Sequence, residues 1–122
     1  LCDVDFFKRI NDRYGHQCGD EVLVELAALL KSTVRQLDRV GRWGGEEFMV
    51  ILPETPLEAA RQLAERLRAK VSKHPFPCVE GPVTISVGLS SYQQADSEQT
   101  MVARADQALY RAKSEGRNRV CV

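Results

Sequence analysis

The chain has 122 residues, 17 Lys+Arg against 17 Asp+Glu, and 43% hydrophobic residues. That is material for one domain around one core and too little for two. The zero charge balance argues against nucleic-acid binding through a dominant basic surface. No apolar run approaches the roughly 20 residues of a membrane span, and no signal-peptide pattern opens the chain. It starts at Leu1, on residues that read as the end of a strand, so it reads as a piece of a longer protein. Cys2, Cys18, Cys78 and Cys121 are scattered, with no C-x-x-C pair and no zinc-finger spacing. A chain with this apolar fraction does not need staples, so free thiols in a reducing compartment, the cytoplasm, are expected.

After a strand ending at Val4, Phe6–Tyr14 suits a short helix with Asp5 as its N-cap and Gly15 as its stop. From Asp20 to about Arg35, Val22, Leu23, Leu26, Leu29, Leu30 and Val34 recur at helical spacing. Arg39–Trp43 and Phe48–Leu52 flank Gly44-Gly45-Glu46-Glu47 and predict a hairpin with a glycine-rich turn. Pro53 and Pro56 close that unit. An amphipathic helix follows, carrying Leu57, Ala60, Leu63, Ala64, Leu67 and Val71 on one stripe. His74–Pro82, rich in proline, reads as a loop. Val83–Leu89 is a strand, Ser97–Glu115 a helix with Gly116 as its C′ residue, and Arg119–Val122 a last strand. The order β-α-α-β-β-α-β-α-β predicts an α/β (α+β) domain with helices packed on one sheet.

Three features stand apart from the scaffold. Asp3 at a strand end and Glu46-Glu47 at a hairpin tip can converge, and converging carboxylates suit hard divalent cations. Any one of these acids alone is ordinary loop composition, and capping accounts for Asp5. Gly44 and Gly45 either satisfy a tight turn or clear the way for a phosphate; position alone does not separate the two. P-loop and dinucleotide fingerprints are absent. In the run DVDFFKRINDRYGHQCGDE, Asn11 and Asp20 read as helix-end residues, yet an amide and a carboxylate also match the polar edge of guanine.

Together these residues resemble the GGDEF domain of bacterial diguanylate cyclases. The signature stands here as GGEEF, Gly44 to Phe48, and three more blocks match in order: DVDFFKRINDRYGHQCGDEVL, TISVGLS and ADQALYRAKSEGRNRV. The resemblance covers nearly the whole chain. It implies a palm-like fold with a central, mostly antiparallel five-stranded sheet flanked by helices, as in nucleotide polymerases and class III nucleotidyl cyclases. The family's D-x-L-T-x-L-x-N-R element and sensory region would precede Leu1.

The implied reaction joins two GTP molecules into cyclic di-GMP with loss of two pyrophosphates, in a homodimer holding one GTP per half-site. By the same resemblance Asp3, Glu46 and the carbonyl of Val4 are metal ligands, with Glu47 beside them, for two Mg²⁺ (or Mn²⁺) ions. Glu46 is also the candidate proton acceptor. Asn11 and Asp20 fall on guanine-binding positions. Phe6, Phe7, Lys8, Gly44, Gly45, Lys113 and Arg117 fall around the triphosphate, although Lys113 also reads as a solvated helix-end lysine. His16 reads as a structural hydrogen-bonding residue and His74 as surface. Arg35-Gln36-Leu37-Asp38 fits the R-x-x-D of the family's inhibitory product site, with Arg66 as a further arginine. No nucleic acid and no membrane contact are expected. The alternatives are a non-catalytic GGDEF module that binds GTP or cyclic di-GMP as a receptor, and a polymerase-palm or adenylate-cyclase relative, against which the guanine pair argues.

Overall fold

The computed structural model describes residues 1–122 as β1 (Cys2–Val4), α1 (Phe7–Tyr14), α2 (His16–Thr33), β2 (Arg39–Gly44), β3 (Glu47–Ile51), α3 (Leu57–Lys73), β4 (Ile85–Gly88), α4 (Glu98–Ser114) and β5 (Val120–Cys121). The strands form one sheet in the order β2-β3-β1-β4-β5. β1 runs antiparallel to both β3 and β4, and β2 to β3. Only β4 and β5 are parallel. The predicted element order and the mostly antiparallel five-stranded sheet are both observed.

Side-chain alternation along the short strands decides what each face of the sheet carries. Cys2, Val4, Phe48, Ile85 and Val87 point into one core with Val22, Leu26 and Leu30 of α2 and Ala64, Leu67 and Val71 of α3. The intervening residues Asp3, Glu47 and Ser86 therefore face the other way, toward α4. Ala105, Ala108, Leu109 and Ala112 make up the buried face of α4. A capping box between Ser97 and Thr100 starts that helix, and Gly116 at φ 124 ends it. Positions that a sheet in a plain sandwich would give to leucine hold two acids and a serine here.

Several expectations change. Asp5 does not cap α1: the N-cap is Phe6, in the left-handed region at φ 55, with no side-chain cap. Asp5 instead turns into the sheet. α2 begins at His16, four residues earlier than its apolar stripe suggests, because Gly15 at φ 90 alone separates it from α1. Cys18, buried one turn before Val22, extends the stripe. Asn11 thus lies inside α1 and Asp20 inside α2, and neither caps a helix. His16 is exposed and takes no side-chain hydrogen bond. His74 is half-buried, with Nε2 3.2 Å from Glu25 Oε2 and its ring edge-on to Phe76.

The cysteines are corrected as well. Cys18 and Cys78 form a disulfide with Cα atoms 5.7 Å apart, across a sequence separation of 60. The proline-rich loop folds back over the start of α2, and sequence spacing gives no sign of that return. Cys2 and Cys121 remain free thiols. Burial pushes the Cys2 thiol up to about 12, so it is inert at neutral pH. Closing a loop of that length stabilises a fold by about 2–4 kcal/mol. Cys78→Ser is accordingly expected to lower the unfolding free energy by that amount in oxidising buffer. The difference should vanish in excess dithiothreitol, a comparison that denaturant titration makes directly.

Candidate functional site

The site is built where β1 ends. Asp3 pairs with Glu47 across the β1–β3 ladder, and Val4 N donates to Glu46 O at 3.4 Å. That ladder brings the backbone of Val4 and the hairpin turn together. Gly45 takes φ 47 in the turn, which a side chain would resist. Asp3 is 5% exposed. Its Oδ2 forms an ion pair with Lys113 Nζ from the last turn of α4, and its Oδ1 is buried with no hydrogen-bond partner. Burial pushes the Asp3 carboxyl above its ordinary range, Lys113 pulls it back, and Glu46 and Asp5 push it up again. Glu47 is raised for the same first reason, with Asp3 next.

This donor set fits a hard divalent cation. The orphaned Asp3 oxygen, the half-buried Glu46 and Glu47 and the nearby carbonyls are all oxygen ligands. No three His, Cys, Asp or Glu side chains close a cage on their own. A magnesium-type site needs none, since it takes one or two carboxylates and draws its other ligands from water and substrate phosphate. Lys113 is therefore no mere solvated helix-end lysine: its partner here is Asp3.

Beside the acids lies a positive end. The first amides of α1 have no intrahelical acceptor, and no acidic residue sits in its first turn. Lys8 is exposed in that turn. Phe6 carries a guanidinium on its ring from each of two arginines, Arg9 at 4.3 Å and Arg117 at 4.5 Å. The helix start and these cations together favour an anion. Phe7 is half-buried and packs toward α2. Arg117 was expected near the triphosphate and Arg9 was not, although its helical i, i+3 spacing from Phe6 is a signal for it.

Asn11 is half-buried on α1 with its Oδ1 unpartnered. Opposite it on α2 is Gly19, another residue the sequence reading missed. A Cβ at Gly19 would overlap Asn11 Oδ1 and come within 3.1 Å of the Phe7 ring. A glycine inside a helix costs about 1 kcal/mol relative to alanine, and that unusual choice was the available signal. Asp20, the next residue, is exposed on the rim of a cleft of about 460 Å³ lined by Leu23, Val40, Arg42 and Phe48. Asn11 does not line that cleft.

A second polar cluster lies at the far end of α2. Arg35 forks onto Asp38 (Nε to Oδ2 3.1 Å, Nη2 to Oδ1 2.9 Å) and also reaches Thr55 Oγ1 at 2.6 Å and Pro53 O at 3.1 Å. Asp38 further accepts from Arg35 N at 2.8 Å. Arg66 is exposed on α3 and forms no hydrogen bond or ion pair with either residue, so the structure joins two of the three predicted members. The Arg35 guanidinium holds the Asp38 carboxyl below its ordinary range. A depressed carboxylate contributes stability that is complete above about pH 4 and is lost as pH falls through its folded value. Asp38→Asn should therefore be less stable than the unmutated chain at pH 7. In acid-unfolding curves that gap should close below about pH 4.

A mostly antiparallel sheet, with acids at the end of β1 beside a hairpin tip and a helix start free of acidic side chains next to them, has the palm-like fold of nucleotidyl cyclases. The family profile "Diguanylate cyclase, GGDEF domain" matches residues 1–119. The chain belongs to the GGDEF family. It is 49% identical over 125 residues to the response regulator PleD of Caulobacter vibrioides, covering 98% of this chain and 28% of that protein. It is also 49% identical over 122 residues to the diguanylate cyclase DgcP of Pseudomonas aeruginosa, covering 98% of this chain and 18% of the relative. The chain thus spans less than a third of the length of these relatives. The active GGEEF domain of a diguanylate cyclase from Vibrio cholerae superposes with a TM-score of 0.92 at 44% identity, over 98% of this chain and 78% of that one. The GGDEF domain of DgcB from Caulobacter crescentus, solved in complex with c-di-GMP, gives 0.91 at 34% identity, over 98% and 73%. Divalent-metal dependence is general in this family, which agrees with the donor set at Asp3.

Proposed function

We propose that this domain is a diguanylate cyclase core, which condenses two GTP molecules into cyclic di-GMP and two pyrophosphates across a homodimer with one GTP per half-site. One observation carries the reading. The only buried side-chain polar atoms without a partner are Asp3 Oδ1 and Asn11 Oδ1, and these are the atoms the reading assigns to metal and guanine. An orphaned buried acceptor costs about 1–3 kcal/mol, a cost that bound ligand would remove at both positions.

In this reading Asp3, Glu46 and the Val4 carbonyl hold the metal, and Glu47 adds negative charge beside them. Two Mg²⁺ or Mn²⁺ ions per half-site would supply charge neutralisation of the triphosphate and activation of the attacking 3′-hydroxyl. Glu46 also serves as proton acceptor for that hydroxyl. The Phe6 and Phe7 amides, Lys8 and Arg117 bind the β- and γ-phosphates, and Lys113 balances the acids from α4. Asp20 accepts from guanine N1–H and N2–H, and Asn11 Oδ1 accepts a further donor. Arg35 and Asp38, with Arg66 from α3, form the site at which the product inhibits.

Gly44 supports the phosphate role. It lies in β2 outside the left-handed region, and a Cβ there would meet nothing within 4 Å. No packing contact calls for a glycine here, although the β2–β3 register shifts between Arg42 and Gly44, and in this reading the bare backbone admits a phosphate. Gly44→Ala should hold or raise the melting temperature, by about 0.4–1 kcal/mol of stability. GTP turnover should fall about a hundredfold, as a displacement near 1 Å at the reacting groups can cause.

The cytoplasm, where GTP is abundant, is the compartment we assign. In that reducing environment Cys18 and Cys78 stand as two adjacent thiols, and the bridge belongs to the oxidised protein. The reading is tested by pyrophosphate release from GTP over a dilution series of enzyme. Two half-sites predict a rate per chain that rises with concentration; a constant rate per chain in the dilute range contradicts the homodimer.

A further inference from the structure

Asp5 is a carboxylate with 5% exposure and no cationic partner. Three donors satisfy it. Oδ1 accepts from Ser86 Oγ at 2.6 Å, while Oδ2 accepts from Thr84 Oγ1 at 2.7 Å and from the backbone N–H of Asn118 at 2.9 Å. The first two bonds fasten Asp5 beside β4, and the third reaches the segment after α4. That segment is unusual. α4 ends with Gly116 N on Lys113 O at 3.4 Å and Arg117 N on Ala112 O at 2.9 Å, a Schellman arrangement. Two non-glycine residues in the left-handed region then follow in succession, Arg117 at φ 65 and Asn118 at φ 47.

Such backbone persists only where its surroundings fix it. Asp5 Oδ2 holds the Asn118 amide, and Arg68 Nη1 holds Asn118 Oδ1 at 2.9 Å from α3. The Arg117 guanidinium lies on the Phe6 ring, at the start of α1. We propose that Asp5 is a positioning residue of the triphosphate site: its buried carboxylate sets the Arg117–Asn118 turn and thereby aims the Arg117 guanidinium at the first turn of α1. This rests on the reading of that helix start and Arg117 as the place where the β- and γ-phosphates bind.

Asp5 acts here as a placed acceptor rather than as a charge. An asparagine with its oxygen at the Oδ2 position keeps the Thr84 and Asn118 bonds, and the Ser86 hydroxyl can turn to accept from the amide nitrogen. A glutamate keeps the charge, but its extra methylene in a closely packed site moves the acceptor. A metal ligand or a catalytic base at this position would show the opposite order of effects.

The test is calorimetric titration of the α,β-methylene analogue of GTP, and of GMP, each with Mg²⁺, into the unmutated chain, Asp5→Asn and Asp5→Glu. Asp5→Glu should weaken the triphosphate analogue about tenfold and GMP less than about twofold, whereas Asp5→Asn should hold both within about threefold. In an Arg117→Ala background Asp5→Glu should add no further loss, because both changes remove one coupled interaction. Asparagine as damaging as glutamate, GMP weakened in parallel, or losses that multiply with Arg117→Ala would each overturn the proposal. Should Asp5→Glu not fold, Asp5→Asn decides alone: affinity within about threefold supports the proposal and a loss of about tenfold overturns it. An unmutated chain that binds GMP as tightly as the analogue would overturn the triphosphate site itself, and the proposal with it.

Discussion

Asp3→Asn is expected to lower cyclic di-GMP formation by about a thousandfold without unfolding the protein. A divalent ion held by Asp3 would supply several kcal/mol of transition-state charge stabilisation, and about 4 kcal/mol corresponds to three decades of rate. Stability should move little, and in the favourable direction. Burial has already pushed the Asp3 carboxyl up, and Glu46 and Asp5 repel its charge. Above its folded pKa the ionised group therefore weakens the apo fold, and an isosteric amide removes that repulsion. Lys113 loses its anionic partner, but its side chain is 36% exposed and can turn to solvent. Product formation and thermal melting, measured together, check both halves. A comparable loss of rate accompanied by a large drop in melting temperature would mean that Asp3 is structural.

Gly19→Ala should separate stability from nucleotide binding in the same manner at the other end of the site. Alanine inside α2 gains about 1 kcal/mol of helix propensity over glycine. Its Cβ would overlap Asn11 Oδ1, the free end of a side chain that can rotate away, and press on the Phe7 ring. The fold survives while Asn11 leaves its place. GTP affinity is expected to fall by about 2 kcal/mol, roughly thirtyfold, with the loss concentrated in preference for GTP over ATP. Competition binding of the two nucleotides reads this out. An alanine variant that keeps full guanine preference would show that Asn11 does not contact the base.

The scaffold was legible in sequence wherever one element decided its own conformation. The stripes of α3 and α4 gave helices within a residue or two of their observed ends, and the glycine pair between two apolar runs gave the β2–β3 hairpin. What escaped was decided by distant partners. Asp5 looked like a cap because local chemistry offers a residue before a helix that role. Its actual partners, Thr84, Ser86 and Asn118, lie 79 to 113 residues away. Cys18 and Cys78 looked free because the return of the loop that joins them leaves no periodic trace. The start of α2 was hidden because Cys18 is the one apolar side chain between His16 and Gly19, too little to extend the stripe visibly in sequence, although both Cys18 and Gly19 are buried.

The acids followed a similar division. Asp3, Glu46 and Glu47 could be singled out by their predicted places at a strand end and a turn, but their meaning came from the GGEEF block and its flanking segments. The geometry then added a relation absent from those blocks, the Lys113 ion pair to Asp3 from the opposite end of the chain. Asn11 and Asp20 carried no local signature stronger than a helix end. The unpartnered Asn11 oxygen against Gly19 gives the amide a physical reason to receive a ligand donor.

Whether these residues form a working cyclase site is tested most directly by the mass of the product made from GTP and Mg²⁺. Incubating the chain with both should yield cyclic di-GMP and two pyrophosphates per product. The same preparation carrying Asp3→Asn should yield none above background. GTP that is bound and recovered intact, with no cyclic dinucleotide formed, would contradict the account and leave a nucleotide receptor in its place.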